Sequence, residues 1–453
     1  MNARTLPSIT ALYFTFLFIL SLGVILSPLL AAGSALDMDV RPDNSTLLVR
    51  SDGTSTIQIR IAAPDGVILP DRPPLNIALV LDRSGSMADE GKMDYVRQAA
   101  HMLVNRMGPE DRLTIVTYNH RVQVPVATRE VRDRKYFHRI IDGLYPDGRT
   151  FLSGGLEEGF RHIRKYRKKG YVSRLILLSD GLANIGVTDF RLLSTRASAI
   201  YESGVAVSTF GMGYDFDENL LASMATGGGG TYHYISRPGD ILAALKKEFN
   251  MASSIVASGV EVIIRPMGGC RFQSTPGHGW RREGNSAVIG LGDLSAGETR
   301  TLMTQIRVPT GETGDKDVAV VIARYRDPVT GKSSSTETVP VLLSIVDDPS
   351  VHRNNIDYGV QEKKAVIESN AMLEKAARKV DEGDRDGART IIEKVMGTLK
   401  SSPAASSPAV QKEMERVQDY SGSIDGMDEM TPAEVKQIQK DLKYESYQEL
   451  HQQ

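Results

Sequence analysis

Apolar residues follow two rhythms along this chain, and the changes between them divide it. From Leu36 to Ala63 they alternate with polar residues, most clearly at Ile57, Ile59 and Ile61, as on a half-buried sheet. Asp65-Gly66 and Pro70-Asp71-Arg72-Pro73-Pro74 then mark a turn and a stiff linker. Between Leu75 and about Ala252, unbroken apolar runs alternate with amphipathic stretches. Strands are predicted at Asn76–Leu81, Arg112–Tyr118, Arg174–Leu178 and Val205–Phe210, with a short antiparallel one at Val122–Ala127. Helices are predicted at Met93–Met107, Arg134–Leu144, Phe151–Lys168, Phe190–Ser203 and Asp240–Met251. Runs such as Ile77–Leu81 and Leu175–Leu178 carry no polar face, so helices must cover both sides of their sheet. The fold class is therefore α/β, with a doubly wound, mostly parallel sheet.

Strand rhythm returns after residue 252, at Val260–Ile264, Thr301–Val308, Val318–Tyr325 and Glu337–Val346, and reads as a β-sandwich. The strands of 36–63 are too few to fold alone and are expected to complete that sandwich. The α/β domain is then an insertion into one sandwich loop, which is cheap where the ends of the inserted domain lie close together.

From about Asn355 the chain turns helical. Ala388, Ile391, Ile392, Val395 and Leu399 share one helical face, and Asp381–Asp384 makes a turn between two helices. The pair resembles a single tetratricopeptide-like hairpin, which cannot bury its own face and must dock on something. Ser401–Pro408 reads as a flexible linker. Thr431-Pro432-Ala433-Glu434 is a capping box opening a last, polar helix, expected to sit loosely at the tail. The expected segments are 1–35, 36–74, 75–252, 253–348, 355–400 and 401–453.

Residues 1–35 carry a different signal. Arg4 precedes an uncharged, largely apolar run from Ile9 to Ala32, and Pro28 with Ala31-Ala32-Gly33-Ser34-Ala35 resembles the end of a secretory signal. The run exceeds the usual signal core and is long enough to span a bilayer of roughly 30 Å. Cleavage after Ala35 or retention as an anchor through residues 9–32 are the two readings. Both export the rest of the chain, to the periplasm or cell surface. One cysteine in 453 residues, Cys270, rules out an intrachain disulfide and fits a bacterial envelope protein. The cysteine itself reads as a small buried apolar residue. A net charge of −2 gives no electrostatic reason to expect nucleic acid, and membrane contact is expected only through the N-terminal segment.

Three separated segments carry chemistry. Asp82-Arg83-Ser84-Gly85-Ser86 follows the first apolar strand, Asp147–Gly155 opens a helix, and Ser179-Asp180-Gly181 ends the strand Arg174–Leu178. In an open α/β sheet such loops converge at the carboxyl ends of the strands, where ligands bind. Together they offer two carboxylates and three hydroxyls, an all-oxygen set suited to a hard cation such as Mg²⁺. Neutral hydroxyls leave the cation incompletely neutralised, so a carboxylate from a partner can complete its sphere. Alone, a D-x-S-x-S segment is more often a helix-capping loop; three such segments at strand ends make that reading poor for the set.

These motifs, D-x-S-x-S, T-x-x-S-G and S-D-G, resemble the metal-ion-dependent adhesion site of von Willebrand factor type A domains, over about Leu75 to Ala252. The resemblance implies that Ser84, Ser86 and Thr150 ligate the metal directly and that Asp82 and Asp180 act mostly through water. It implies Mg²⁺, with Mn²⁺ or Ca²⁺ as alternatives, and a protein partner presenting an acidic side chain. Gly211-Met212-Gly213 and Thr226–Tyr232 resemble the family's last strand and glycine turn. Arg83 and Arg149, beside the ligands, would favour an approaching carboxylate. The insertion layout more loosely resembles inter-alpha-trypsin inhibitor heavy chains and exported bacterial proteins likened to calcium-activated chloride channels. A channel is not implied, since no pore-lining segment follows residue 32.

Other signals carry less. Gly331-Lys332-Ser333 lacks the first glycine of a P-loop, and no H-E-x-x-H, C-x-x-C or G-x-S-x-G occurs. The basic run Arg161–Arg174 and the pair Glu157-Glu158 read as solvated surface charge. No general base accompanies the cation set, so the chain is expected to be a binding protein and not an enzyme. A metal-assisted hydrolase and an envelope scaffold with a structural metal are the competing readings.

Overall fold

The computed structural model describes residues 36–65 and 72–451; the signal or anchor expected at 1–35 lies outside the described residues. Three strands open the chain: β1 (Asp37–Pro42), β2 (Thr46–Leu48) and β3 (Thr54–Ala62). The α/β domain follows as β4 (Leu75–Asp82), α1 (Lys92–Arg106), β5 (Arg112–Tyr118), β6 (Val122–Glu130), α2 (Arg134–Asp142), α3 (Leu152–Lys165), β7 (Val172–Ser179), α4 (Phe190–Glu202), β8 (Ala206–Met212), α5 (Glu218–Gly227), β9 (Gly229–Ile235) and α6 (Ile241–Ser253). Its sheet runs β6-β5-β4-β7-β8-β9, parallel except for the edge strand β6. Leu79 and Leu81 of β4 face the layer of α1, α2 and α6, while Ala78 and Val80 face α3, α4 and α5. Burial on both faces is why these strands are unbroken apolar runs.

Two elements depart from the sequence expectation. Gly211-Met212 closes β8 and is not the last strand; α5 and the glycine-led β9 follow it. Phe216 explains the glycine, because a Cβ on Gly211 would fall within 2.2 Å of its ring.

The second half returns to strands: β10 (Ile255–Pro266), β11 (Arg271–Ser274), β12 (Arg281–Glu283), β13 (Ser286–Ser295), β14 (Thr299–Arg307), β15 (Gly314–Arg326), β16 (Ser333–Ser335) and β17 (Val339–Val346). β1 and β3 join β14 and β11 in one sheet, while β2 pairs in parallel with β17 at the edge of the other. The N-terminal strands thus complete the sandwich, with Ile57, Ile59 and Ile61 facing Val262 and Ile264 in its core. Cys270 is buried there as a small apolar residue.

Five helices close the chain: α7 (Pro349–Asn354), α8 (Tyr358–Asp381), α9 (Arg385–Ser401), α10 (Pro408–Gly426) and α11 (Pro432–His451). Ser401–Pro408 is not a flexible linker. It is a compact turn in which Ala404 is buried and Ser407 caps α10. The hairpin of α8 and α9 docks on α10, the first of the terminal helices expected in 401–453, through Leu373, Ile392, Val410 and Val417. The capping box forms, Thr431 and Glu434 each accepting from the other's backbone N–H.

α11 is not loose either. Tyr444 and Tyr447 pack edge-on against Tyr232 of β9. Lys440 and Lys443 both pair with Glu218 at the start of α5. Burial alone would push the Glu218 carboxyl up, but the two ammonium groups hold it down at about 2. A helix that reads as polar is therefore buried by ion pairing and by its lysine stems.

A buried cluster ties the inserted domain to its surroundings. Arg174 near the start of β7 meets Glu248 of α6 at 2.6 Å and Asp293 of β13 at 3.4 Å. Glu248 also accepts from Ser208 and contacts His233 at 3.1 Å. Arg174, expected among solvated charges, is thus 3% exposed, and Asp293 brings the sandwich into the same network.

Candidate metal centre

β4 and β7 are neighbours in register, Leu81 beside Leu178, so Asp82 and Ser179-Asp180 emerge side by side at the carboxyl end of the sheet. Ser84 closes an Asx turn by donating its backbone N–H to Asp82 Oδ1 at 2.8 Å. A 3-10 stretch, Gly85–Gly91, carries the chain on to α1. The Gly85 N–H donates to the Gly148 carbonyl at 2.9 Å, which fixes the first loop against the one bearing Thr150. Gly148 has φ +81°, and a Cβ there would strike the His120 ring. Asn184 then clasps Thr150, its side chain accepting from the Thr150 N–H at 3.0 Å while its own N–H donates to the Thr150 carbonyl.

Behind these loops α3 lies close to the sheet because Gly155 and Gly159 face it. A Cβ on Gly155 would stand 2.6 Å from the Tyr118 ring, whose hydroxyl donates to the Leu178 carbonyl just before the Ser179-Asp180 corner. Gly155→Ala is expected to destabilise the fold by about 1–3 kcal/mol through overpacking. Thermal denaturation checks this, and an unchanged midpoint would show that Tyr118 has room to move.

All five expected residues come together. Ser84 Oγ and Ser86 Oγ are 3.2 Å apart, and Ser86 Oγ donates to Asp180 Oδ1 at 2.8 Å. The Ser86 and Thr150 hydroxyls both lie 3.7 Å from the point where a Gly181 Cβ would stand, so both border the space beside Gly181. Adjacent corners of an octahedron with bonds of 2.0–2.1 Å are about 2.9 Å apart, and the Ser84–Ser86 separation of 3.2 Å is near that edge. Asp82 is held differently: Oδ1 takes the Ser84 N–H and Oδ2 takes the Ser179 hydroxyl at 3.0 Å. With both oxygens engaged by the protein, Asp82 suits an outer position acting through water. Burial, with the nearby Asp180 charge adding to it, pushes its carboxyl up to about 7 against the opposing Ser84 and Ser179 hydrogen bonds. Among the described residues no group of three or more His, Cys, Asp or Glu is arranged to hold a metal ion, so any cation held here would rely on hydroxyls as well as carboxylates.

One residue escaped the sequence reading. Lys92 Nζ donates to Asp180 Oδ2 at 3.0 Å, and the pair is almost fully buried. The signal was a Lys at the first position of a helix, where the helix dipole disfavours a cation and a local anion must compensate. Its ammonium offsets one of the two carboxylates. Arg83 does not point at the ligands; its guanidinium lies over Tyr145 and donates to Gln123. Arg149 is exposed on the rim, as are Tyr145 and Leu182.

The family model described as the von Willebrand factor type A domain matches residues 76–246, and with the sheet order above these residues form such a domain. An uncharacterized protein of Synechocystis sp., sll0103, is 27% identical over 353 residues, covering 75% of this chain and 82% of its own. Inter-alpha-trypsin inhibitor heavy chain H2 of Sus scrofa is 25% identical over 45% of this chain, which spans only 22% of that protein. A solved structure titled von Willebrand factor type A from Catenulispora acidiphila covers 91% of this chain and 96% of its own, with a TM-score of 0.69. At 14% identity that likeness is one of fold, and it extends through the sandwich and the helices as well as the inserted domain.

Proposed function

We propose that this protein is a cation-dependent binding module of the cell envelope that captures a protein partner by an acidic side chain. The convergence of the Ser84, Ser86, Thr150 and Asp180 oxygens at the end of the sheet carries the reading. Ser84, Ser86 and Thr150 would hold Mg²⁺ directly, with Asp82 and Asp180 beyond them. Bound there, the cation supplies an electrophilic position for a carboxylate oxygen. The chain's own residues set how strongly it does so. Three neutral hydroxyls add no charge, and Lys92 cancels part of the charge of Asp180. The exposed Tyr145 and Leu182 flank the loops and favour a partner whose acidic residue sits among apolar ones. The envelope location rests on residues 9–35 of the sequence. Among the described residues no helix is long and apolar enough to cross a membrane.

The decisive experiment titrates Mg²⁺ and Mn²⁺ into the wild type and Asp82→Ala, then captures envelope proteins with each. The expected result is a partner held by the wild type, released by a chelator and absent from the variant. Identical capture by both proteins would remove the adhesive reading and leave the cation, if bound, a structural part of a scaffold. Cation-dependent turnover of a hydrolase substrate panel would instead favour an enzyme.

A further inference from the structure

A basic patch lies at the other end of the inserted domain from the metal centre. From Arg161 to Lys169 six of nine residues are Lys or Arg, and no acid occurs between Gly159 and Tyr171. β7 begins just after them, with Val172 beside Leu75, so the patch stands at the amino ends of the strands. Asp82 and Asp180 stand at the carboxyl ends, roughly 23 Å away at the rise of β4. The hairpin of β15 and β16 extends the patch, because its tip lies against the turn that follows α3. A Cβ on Gly170 would stand 3.7 Å from the Val329 carbonyl oxygen, and one on Gly331 would stand 4.0 Å from Lys169 Cε. Lys332 and Val329, itself 45% exposed, are thereby brought beside Lys168 and Lys169.

Arg161 pairs with Glu158, but among the described residues Arg164, Lys165, Arg167, Lys168, Lys169 and Lys332 are exposed and form no ion pair. The carboxyl end of α3 accounts for cations at Arg164 and Lys165. It does not account for those of the turn and the hairpin. Two acids border the patch. Asp327 accepts from the Val329 and Thr330 N–H groups, and Glu202 adjoins the Ser203 carbonyl that accepts from Arg167.

We propose that this face rests on an anionic lipid bilayer, with Lys168, Lys169 and Lys332 against its phosphates and Val329 among the headgroups. Lys165 and Lys168 lie beside the Tyr166 and Tyr171 rings, and such amphipathic side chains suit a surface that is apolar below and charged above. The route of the chain favours a bilayer over a soluble polyanion. The described body begins at Leu36, and Met38 Sδ lies 3.8 Å from Thr336 Oγ1 at the foot of the hairpin that carries Lys332. Only residues 33–35 separate Leu36 from the apolar run ending at Ala32, so a chain anchored through that run would be tethered beside the patch. On such a surface the metal centre, at the far end of the sheet, faces away from the lipid and towards partners. The proposal does not depend on cation binding.

The strand pairs and core clusters described above lie within residues 36–451, so the chain that cleavage after Ala35 would leave serves for the test. It is sedimented, without divalent cations, with vesicles of phosphatidylcholine alone or mixed with phosphatidylglycerol. Binding is expected only to the anionic vesicles, and it should fade as salt rises from about 0.1 M to 1 M. Each cation near such a surface is worth about fivefold in binding, so Lys168→Gln, Lys169→Gln and Lys332→Gln together should weaken it about a hundredfold. Arginine at the same positions should restore it, and the exposed sites should leave the melting temperature unchanged. Asp82→Ala should bind vesicles as the wild type does, which keeps this result apart from that of the metal centre. Equal binding to both kinds of vesicle overturns the proposal, as does unaltered binding by the triple glutamine variant. Retention on heparin without binding to vesicles would place a soluble polyanion on this face and overturn it equally.

Discussion

Asp82→Asn is expected to abolish stabilisation by Mg²⁺ while leaving the cation-free protein as stable as the wild type or more so. Asn keeps the acceptor for the Ser84 N–H, and its amide can donate to the Ser179 hydroxyl, so the corner retains its shape. What changes is charge. The buried Asp82 carboxyl titrates near 7, against about 3.9 when unfolded. The folded state therefore binds the extra proton between those values. This contribution to stability is complete below pH 4 and is lost as pH rises through 7, where the buried carboxylate must exist without a counter-cation. A tenfold change in proton affinity is worth about 1.4 kcal/mol, so the penalty at neutral pH is at most on the order of 4 kcal/mol. Asn escapes it. For a domain of this size, relief of each kcal/mol raises the melting temperature by about 2–4 °C. A bound cation relieves the same penalty in the wild type, so the melting temperature gained on adding Mg²⁺ should grow between pH 5.5 and 8. Differential scanning calorimetry of both proteins over that range decides it. A variant that still gains stability from Mg²⁺ would move the cation elsewhere.

The second large effect belongs to the buried network. Glu248→Ala leaves Arg174, 3% exposed, with Asp293 as its remaining salt-bridge partner, and should cost about 3–5 kcal/mol. Burial would push Glu248 up, but Arg174, together with the His233 and Ser208 hydrogen bonds, holds it down at about 2. Its depressed value means that its contribution is present above about pH 4.5 and disappears as pH falls through 2. The wild type should accordingly lose stability steeply in acid, and the variant should show a shallower slope there. The double variant Arg174→Met with Glu248→Leu should recover only part of the loss, because it avoids the desolvation of two charges but leaves Asp293 without its guanidinium partner. Urea denaturation monitored by circular dichroism separates these outcomes. A single variant within 1 kcal/mol of the wild type would mean that water enters the cluster.

The parts of the molecule that could be read from the sequence are those where one physical demand dominates. β4 and β7 are apolar on both sides because helices cover them, and that pattern has few other meanings. The loops of the candidate metal centre are legible because hydroxyls and carboxylates stand at the ends of those same strands. β9 was hidden by its opening glycines and by side chains such as His233, which pair with partners distant in sequence. α11 differs from its expected loose tail because Lys440 and Lys443 read as solvent-facing, and only the position of Glu218 makes them interior. Arg174 is interior for the same reason, through Glu248 and Asp293. A charge's burial depends on what faces it across the fold, and local sequence does not contain that information. Lys92 sits between the two cases, since its misplaced sign at a helix start was visible but its partner was not.

The discontinuous sandwich has a consequence for the order in which the protein acquires its structure. β3 pairs along its whole length with β14, Ala62 beside Thr299 and Thr54 beside Arg307. On a ribosome adding about 5–20 residues each second, β3 waits some ten seconds to a minute before its partner has been made. During that interval the intervening α/β domain can fold from nearer neighbours and bring Leu75 and Ser253 to one end. This replaces a long, floppy loop with a short, stiff one and lowers the entropy cost of closing the sandwich. The inserted domain is therefore also a folding clamp for the sheets that carry it. Variants that slow its folding should prolong the time for which β1 and β3 present unpaired edges, and aggregation during synthesis would be their first symptom.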